Sequence, residues 1–184
     1  MSGRFRPAIH RPAEGGRGRR GVRPSSAAGF SISEGAFPTE PSCAMAYWLF
    51  KSEPSTWSWD QQVEAGEGGT FWNGVRNHLA KKQMQAMQVG ERGFFYHSNE
   101  GKAVVGIVEV IKPYYPDHTD ESGRFGMVDV RAVAPMPRPV TLDAIKAEAA
   151  LKDMALVTNS RLSVQPVTEA EWATVCAMGG FDAR

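Results

Sequence analysis

Cysteine is scarce in this chain of 184 residues, with only Cys43 and Cys176 present. Two such distant thiols make neither a disulfide framework nor a zinc quartet. No apolar run approaches the roughly 18 residues of a membrane-crossing helix, and no apolar signal-peptide core is present. A soluble, cytoplasmic protein with no membrane partner is the expectation. Signatures of catalysis are missing as well: there is no nucleophile elbow, Gly-Lys-Ser phosphate loop, Cys-x-x-Cys pair or His-Glu-x-x-His helix. A non-enzymatic role without a cofactor is therefore favoured.

Residues 1–44 also lack lysine and any apolar period of 2 or 3.6 residues, while holding seven Arg, seven Gly, five Pro and three acidic residues. Such a composition buries too little surface to offset chain entropy, so a disordered tail is expected. Three readings stay open for it: a transit peptide, a nucleic-acid-binding arm, or an upstream artefact with translation starting at Met45. Residues 45–184 then form one domain of 14 basic and 17 acidic residues, a net charge near −3. A domain of that charge does not grip phosphate by bulk attraction and needs a local basic patch with a specific pocket.

Ordered patterning begins abruptly at AYWLFK, a strand over 46–51. Ser58 and Gln61 form a capping box for a helix from about Trp59 to Ala65, ended by Gly66, Gly68 and Gly69. A second helix is predicted over Asn77–Met87. Strand-like runs follow at 91–98, 102–111 and 124–133, separated by turn-length links and a loop over 113–123, which suggests an antiparallel meander. One or two helices are expected in TLDAIKAEAALKDM, an edge strand over 161–167 because of Pro166, and a last helix over 168–178 opened by the Thr168/Glu171 capping box. The order fits an α+β fold, a small curved sheet or open barrel with helices packed at its ends.

The candidate site residues gather at element ends. Ser52 and Glu53 close the first strand, His97 and Ser98 close a later one, and Trp72 to Arg76 precede a helix. Trp72 reads either as core or as a stacking platform, a contact worth ~1–3 kcal/mol per base. Beside it, Arg76 and the N–H groups at the start of the following helix suit a phosphate, with His78, Lys81 and Lys82 extending the positive strip. Asn77 can bond a base edge as donor and acceptor. Arg161 either joins this patch or pairs with a surface acid. Asp117, His118, Asp120 and Glu121 crowd one loop, but adjacent side chains rarely converge on one ion, and no metal site is expected there.

YWLFKSEPSTWSWD, FWNGVRN, GFFYHS and SRLSVQP, in that order between Tyr47 and about Val167, closely resemble the EVE-domain family. The resemblance implies a PUA-like fold, a curved mixed or antiparallel β-barrel with flanking helices, distantly related to YTH domains that hold methylated adenine in an aromatic cage. Those relatives carry a Lys-Ser pair after the first strand and a cage tryptophan before a helix, matched here by Lys51, Ser52 and Trp72. Carried over, Trp72 becomes the stacking wall, with Ser52, Asn73, Val75, Asn77, His97 and Ser98 as pocket lining. The chain departs from the pattern in having Phe125, and no Trp, where the relatives place further tryptophans. The implied function is a reader of modified bases, chiefly altered cytosine in DNA or else modified RNA. In that reading Arg76, Lys81, Lys82 and Arg161 hold phosphate. The alternatives are a base-processing hydrolase with Glu53 or His97 as general base, and a small-molecule or protein-partner module using the same pocket.

Overall fold

The computed structural model describes residues 45–183, and the readings made of residues 1–44 lie outside them. Six strands form one sheet in the order β2-β5-β4-β3-β1-β6. Strand β1 (Tyr47–Ser52) runs parallel to β3 (Arg92–His97), while β4 (Ala103–Pro116) and β5 (Gly126–Thr141) follow β3 as the expected antiparallel meander. The parallel pair makes the sheet mixed. It does not close: β2 (Thr70–Phe71) and β6 (Val164–Val167) are its edges.

Two strands exceed the sequence-based expectation. β4 runs on into the predicted 113–123 loop, and β5 continues to Thr141 through Pro135, Pro137 and Pro139. Those prolines lie where β5 bulges against β4, since Gly106 pairs with Pro135 but Val104 with Val140, and β2 pairs with β5 only at Val130 and Asp129. Proline is tolerated at bulges and open edges. Register shifts at Phe95/Tyr96 and at four places between β4 and β5 bend the strands. β2 itself was not predicted, being too short to show a period.

Helix α1 (Trp59–Glu64) and helix α5 (Glu169–Gly179) both start with complete capping boxes, Ser58 with Gln61 and Thr168 with Glu171. Helix α2 (His78–Ala86) starts at Asn77, whose side chain caps it. The TLDAIKAEAALKDM stretch breaks into helix α3 (Leu142–Ala147) and a 3₁₀ turn, and helix α4 (Ala155–Thr158) follows.

Side-chain alternation along β1 and β3 divides the core between the two faces of the sheet. Trp48, Phe50 and Phe95 point to one face, where Trp57, Trp72, Val75 and the α2 residues Ala80 and Met84 cover them. Leu49, Phe94 and Tyr96 point to the other, under Ile145, Leu156 and the α5 residues Trp172, Val175 and Cys176. Cys176 is buried, and that burial pushes its thiol up to about 12, so it is an inert packing residue. Among the described residues no helix is long and apolar enough to cross a membrane.

Candidate nucleic-acid interface

The parallel pairing of β1 with β3 brings two candidate segments together. Ser52 lies opposite His97, and the Ser98 N–H donates to the Ser52 carbonyl at 2.8 Å. Ser52, Glu53, His97 and Ser98 therefore share one end of the sheet. Just past Ser52 the chain turns: Thr56 and Trp57 N–H groups donate to the Glu53 carbonyl, and Ser52 Oγ donates to the Trp57 carbonyl at 2.8 Å. Ser52 is thus buried and its hydroxyl proton is engaged, while Glu53 stays exposed at the rim.

The same turn delivers Trp59, which the sequence reading did not select. Its backbone N–H donates to His97 Nε2 at 3.1 Å, and its half-buried ring meets Phe95 edge-on at 5.4 Å. The indole lies flat against β4, where a Cβ on Gly106 would fall 2.3 Å from it. A glycine inside the strand run VVGIV was the available signal, since such glycines often mark a close approach. Burial lowers the His97 pKa, with Asp60 opposing. In the neutral ring Nε2 is the acceptor, so the proton sits on Nδ1.

Trp72 is placed differently from a stacking platform. It is 0 % exposed, edge-on to Phe50 at 5.1 Å and to Phe95 at 5.8 Å, and its backbone N–H donates to the Val128 carbonyl at 2.7 Å. Both neighbours are core rings, so in this structure the indole is an inner wall with no open face. Val75 is buried beside it. Asn73, between the two, is 1 % exposed and its Oδ1 has no hydrogen-bond partner.

Arg76 and Asn77 also differ from expectation, for reasons that lie far away in the chain. Arg76 Nη1 donates to Asp117 Oδ2 at 2.7 Å and Nη2 to Thr119 Oγ1 at 3.0 Å. Asp117, buried, also accepts the Gly74 N–H at 2.9 Å and the Thr119 N–H at 2.7 Å. Burial alone would raise the Asp117 pKa, but the hydrogen bonds from Thr119, Arg76 and the Gly74 amide win and hold it below its ordinary value. The guanidinium therefore anchors the 117–125 loop instead of standing free for phosphate. Asn77 Oδ1 accepts the Leu79 and Ala80 N–H groups, which removes the open helix terminus that the sequence suggested for an anion. The acidic loop is accounted for by the same network, and among the described residues no group of three or more His, Cys, Asp or Glu is arranged to hold a metal.

Of the other candidate phosphate-binding cations, Lys81 is half-buried, and Lys82 and Arg161 are exposed. Lys81 Nζ donates to the Arg124 carbonyl at 2.5 Å and lies 5.9 Å from the Phe125 ring centre, with Arg76 at 5.7 Å and the His78 ring at 5.1 Å. Lys82 and Arg161 are exposed and make no hydrogen bond or ion pair among the described residues. Arg161 follows Ser160, whose carbonyl accepts Lys51 Nζ at 2.6 Å. That contact ties the 159–163 segment to the C-terminal end of β1. Lys51 is itself half-buried there, which lowers its pKa. Arg161 thus belongs with Ser52 and His97, whereas Lys81 belongs with the Phe125 loop.

A bent, open mixed sheet covered by helices on both faces, with polar and aromatic groups at the ends of two parallel strands, defines a PUA-like domain. The EVE domain profile matches residues 46–178, and the chain belongs to the EVE domain family. It is similar to thymocyte nuclear protein 1 of Gallus gallus, 33 % identical over 171 residues that span 76 % of this chain and 71 % of that one. A Rhodopseudomonas palustris protein with a solved structure is 63 % identical over 73 % of this chain and 93 % of its own, with a TM-score of 0.70. Human THYN1, solved in complex with 5-methylcytosine-containing DNA, is 32 % identical over 74 % of this chain and 99 % of that one, with a TM-score of 0.69.

Proposed function

We propose that this domain is a non-catalytic reader of a modified nucleobase, with modified cytosine in DNA as its ligand. The observation that carries the reading is the likeness to human THYN1, solved in complex with 5-methylcytosine-containing DNA, a likeness that spans 99 % of that chain and 74 % of this one. The geometry supports it. A base displaced from its stack meets the end of the β1/β3 pair, where the 53–59 turn and the 72–77 stretch come together over Phe95. Trp59 forms the half-buried aromatic wall there, with Trp72 buried behind it against Phe95, and His97 offers its Nδ1 proton to an acceptor on the base or its sugar-phosphate. Glu53 and Ser98 sit at the rim of this opening, and Arg161 and Lys82 take flanking phosphates. With a net acidic charge on the domain, binding depends on the pocket more than on the backbone of the nucleic acid.

The test is a titration of the full chain with matched oligonucleotides carrying cytosine or 5-methylcytosine at one position, as single-stranded DNA, duplex DNA and RNA, followed by tryptophan fluorescence. The expected result is a preference of roughly tenfold or more for the modified base in DNA, with a shallow salt dependence. Equal affinity for both bases in all three forms removes the reading and turns attention to a small molecule or a protein partner. Preference only in RNA keeps the reader and changes its polymer.

A further inference from the structure

We propose that Asn73 is the residue that reads the hydrogen-bonding edge of the captured base, through both ends of its side-chain amide. The inference rests on the reader proposed above and assigns its specificity to one residue.

Its neighbours are committed elsewhere. Ser52 Oγ is held by the Trp57 carbonyl, His97 Nε2 by the Trp59 amide, Asn77 Oδ1 by two helix amides and Arg76 by Asp117 and Thr119. Asn73 is 1 % exposed, and its Oδ1 is buried without a hydrogen-bond partner among the described residues. Burying an amide unpaired is unfavourable, and folded proteins leave few such groups. Gln165 Oε1 and Trp172 Nε1 are also buried without a partner. Both have structural uses: the Gln165 nitrogen donates to the Asn159 and Leu162 carbonyls, and Trp172 stacks on Tyr47 and Phe94. The Asn73 amide has no such use within the fold.

The backbone nevertheless holds it in place. On one side the Trp72 N–H is fixed to Val128, and on the other the Gly74 N–H is fixed to Asp117 Oδ2. Gly74 takes φ +76°, a conformation that suits glycine and turns the chain at this point. An unpaired amide oxygen next to the inner aromatic wall, positioned by its neighbours' bonds, is arranged for a partner from outside the chain. The 72–77 stretch has no regular secondary structure.

The chemistry then sets the specificity. A cytosine-type edge offers an exocyclic amino donor beside the ring N3 acceptor. A thymine-type edge offers the reverse, a carbonyl beside an N3–H. Against the cytosine-type edge Asn73 Oδ1 accepts the amino N–H while Nδ2 donates to N3. Asn73→Asp replaces that donor with a second acceptor, which then faces the N3 lone pair and loses the contact.

The experiment compares wild type, Asn73→Leu and Asn73→Asp as full chains, measuring thermal unfolding and affinity for single-stranded DNA with cytosine, 5-methylcytosine or thymine at one position. Asn73→Leu is expected to melt no lower than wild type, since it removes an unpaired buried amide oxygen, and to lose roughly tenfold or more in affinity for 5-methylcytosine. Asn73→Asp is expected to lose 5-methylcytosine affinity as well, because its second acceptor faces the N3 acceptor of the base. A clear drop in the melting temperature of Asn73→Leu overturns the proposal by making the amide a structural element, and so does undiminished binding by that variant. Undiminished 5-methylcytosine affinity in a folded Asn73→Asp overturns the edge-reading role, and if that variant does not fold, the leucine variant decides alone. If wild type binds 5-methylcytosine no better than cytosine, the reader itself falls, a result distinct from either variant's behaviour.

Discussion

The imidazole of His97 accepts the backbone N–H of Trp59 at 3.1 Å, joining the end of β3 to the first residue of α1 across 38 positions of sequence. Protonation would put a second N–H against that donor, and burial already disfavours the charged ring. The folded state therefore binds the His97 proton less readily than the unfolded chain does. By linkage, this contribution to stability is fully present above the unfolded value of 6.5 and is lost as pH falls toward the lower folded value. Melting temperatures measured between pH 8 and pH 5, roughly spanning the histidine range, should fall on the acid side. His97→Gln, whose side-chain oxygen can still accept, should flatten that limb. Because Asp60 faces the ring and opposes the shift, Asp60→Asn should steepen it. An unchanged acid limb in His97→Gln would show that the contact carries no pH dependence.

Trp72→Ala should be costly to the fold before it tells anything about binding. The indole is fully buried between Phe50 and Phe95, so the truncation leaves a large cavity. Trp-to-Ala changes of this kind cost about 3–5 kcal/mol. Denaturant unfolding should show that loss, with the midpoint moving and the slope nearly constant. Trp72→Phe, which keeps an aromatic wall, should cost less and is the better variant for a binding assay. A loss under about 1 kcal/mol in Trp72→Ala would mean that the site collapses freely, and the packing described here would be wrong.

Much of this architecture was readable because its signals are local. The capping boxes at Ser58 and Thr168 each need only four consecutive residues, and the β3–β4–β5 meander follows from adjacent Val- and Phe-rich runs. Pro166 correctly marked β6 as an edge. What stayed hidden depends on distant partners. The parallel pairing of β1 with β3 has no local mark, and the run of β5 beyond residue 133 through its prolines rests on a bulged pairing with β4. The site divides in the same way. Ser52 and His97 could be placed at strand ends from the sequence, but Arg76 looked free because Asp117 lies 41 residues away. Asn77 was misread for a subtler reason: a helix-capping asparagine and a base-reading asparagine have the same sequence context.

Gly106 and Trp59 should behave as one unit. An added Cβ at position 106 would overlap the indole, which cannot retreat without breaking its edge contact with Phe95 or the Trp59 amide bond to His97. Overpacking of this sort costs about 1–3 kcal/mol. Gly106→Ala should therefore destabilise the domain and increase amide hydrogen exchange at the start of α1. In the Trp59→Leu background the same alanine should be nearly neutral. A double-mutant cycle reports this directly, and additive losses within about 0.5 kcal/mol would refute the contact.

Lys82 and Arg161 should affect nucleic-acid affinity without affecting the fold. Both are exposed and, among the described residues, neither makes an ion pair, so Lys82→Ala and Arg161→Ala should each leave the melting temperature within the error of wild type. If each neutralises one phosphate, each substitution should weaken binding to all sequences alike and reduce the slope of log affinity against log salt by about 0.7 on single strands. Preference for the modified base should survive. Arg76→Ala is the contrast: its guanidinium holds Asp117 and Thr119, so it should lower stability and loosen the 117–125 loop even without nucleic acid. If Lys82→Ala and Arg161→Ala leave the salt slope at its wild-type value while Arg76→Ala reduces it without destabilising the fold, the cation that meets phosphate is Arg76, and its pairing with Asp117 must open on binding.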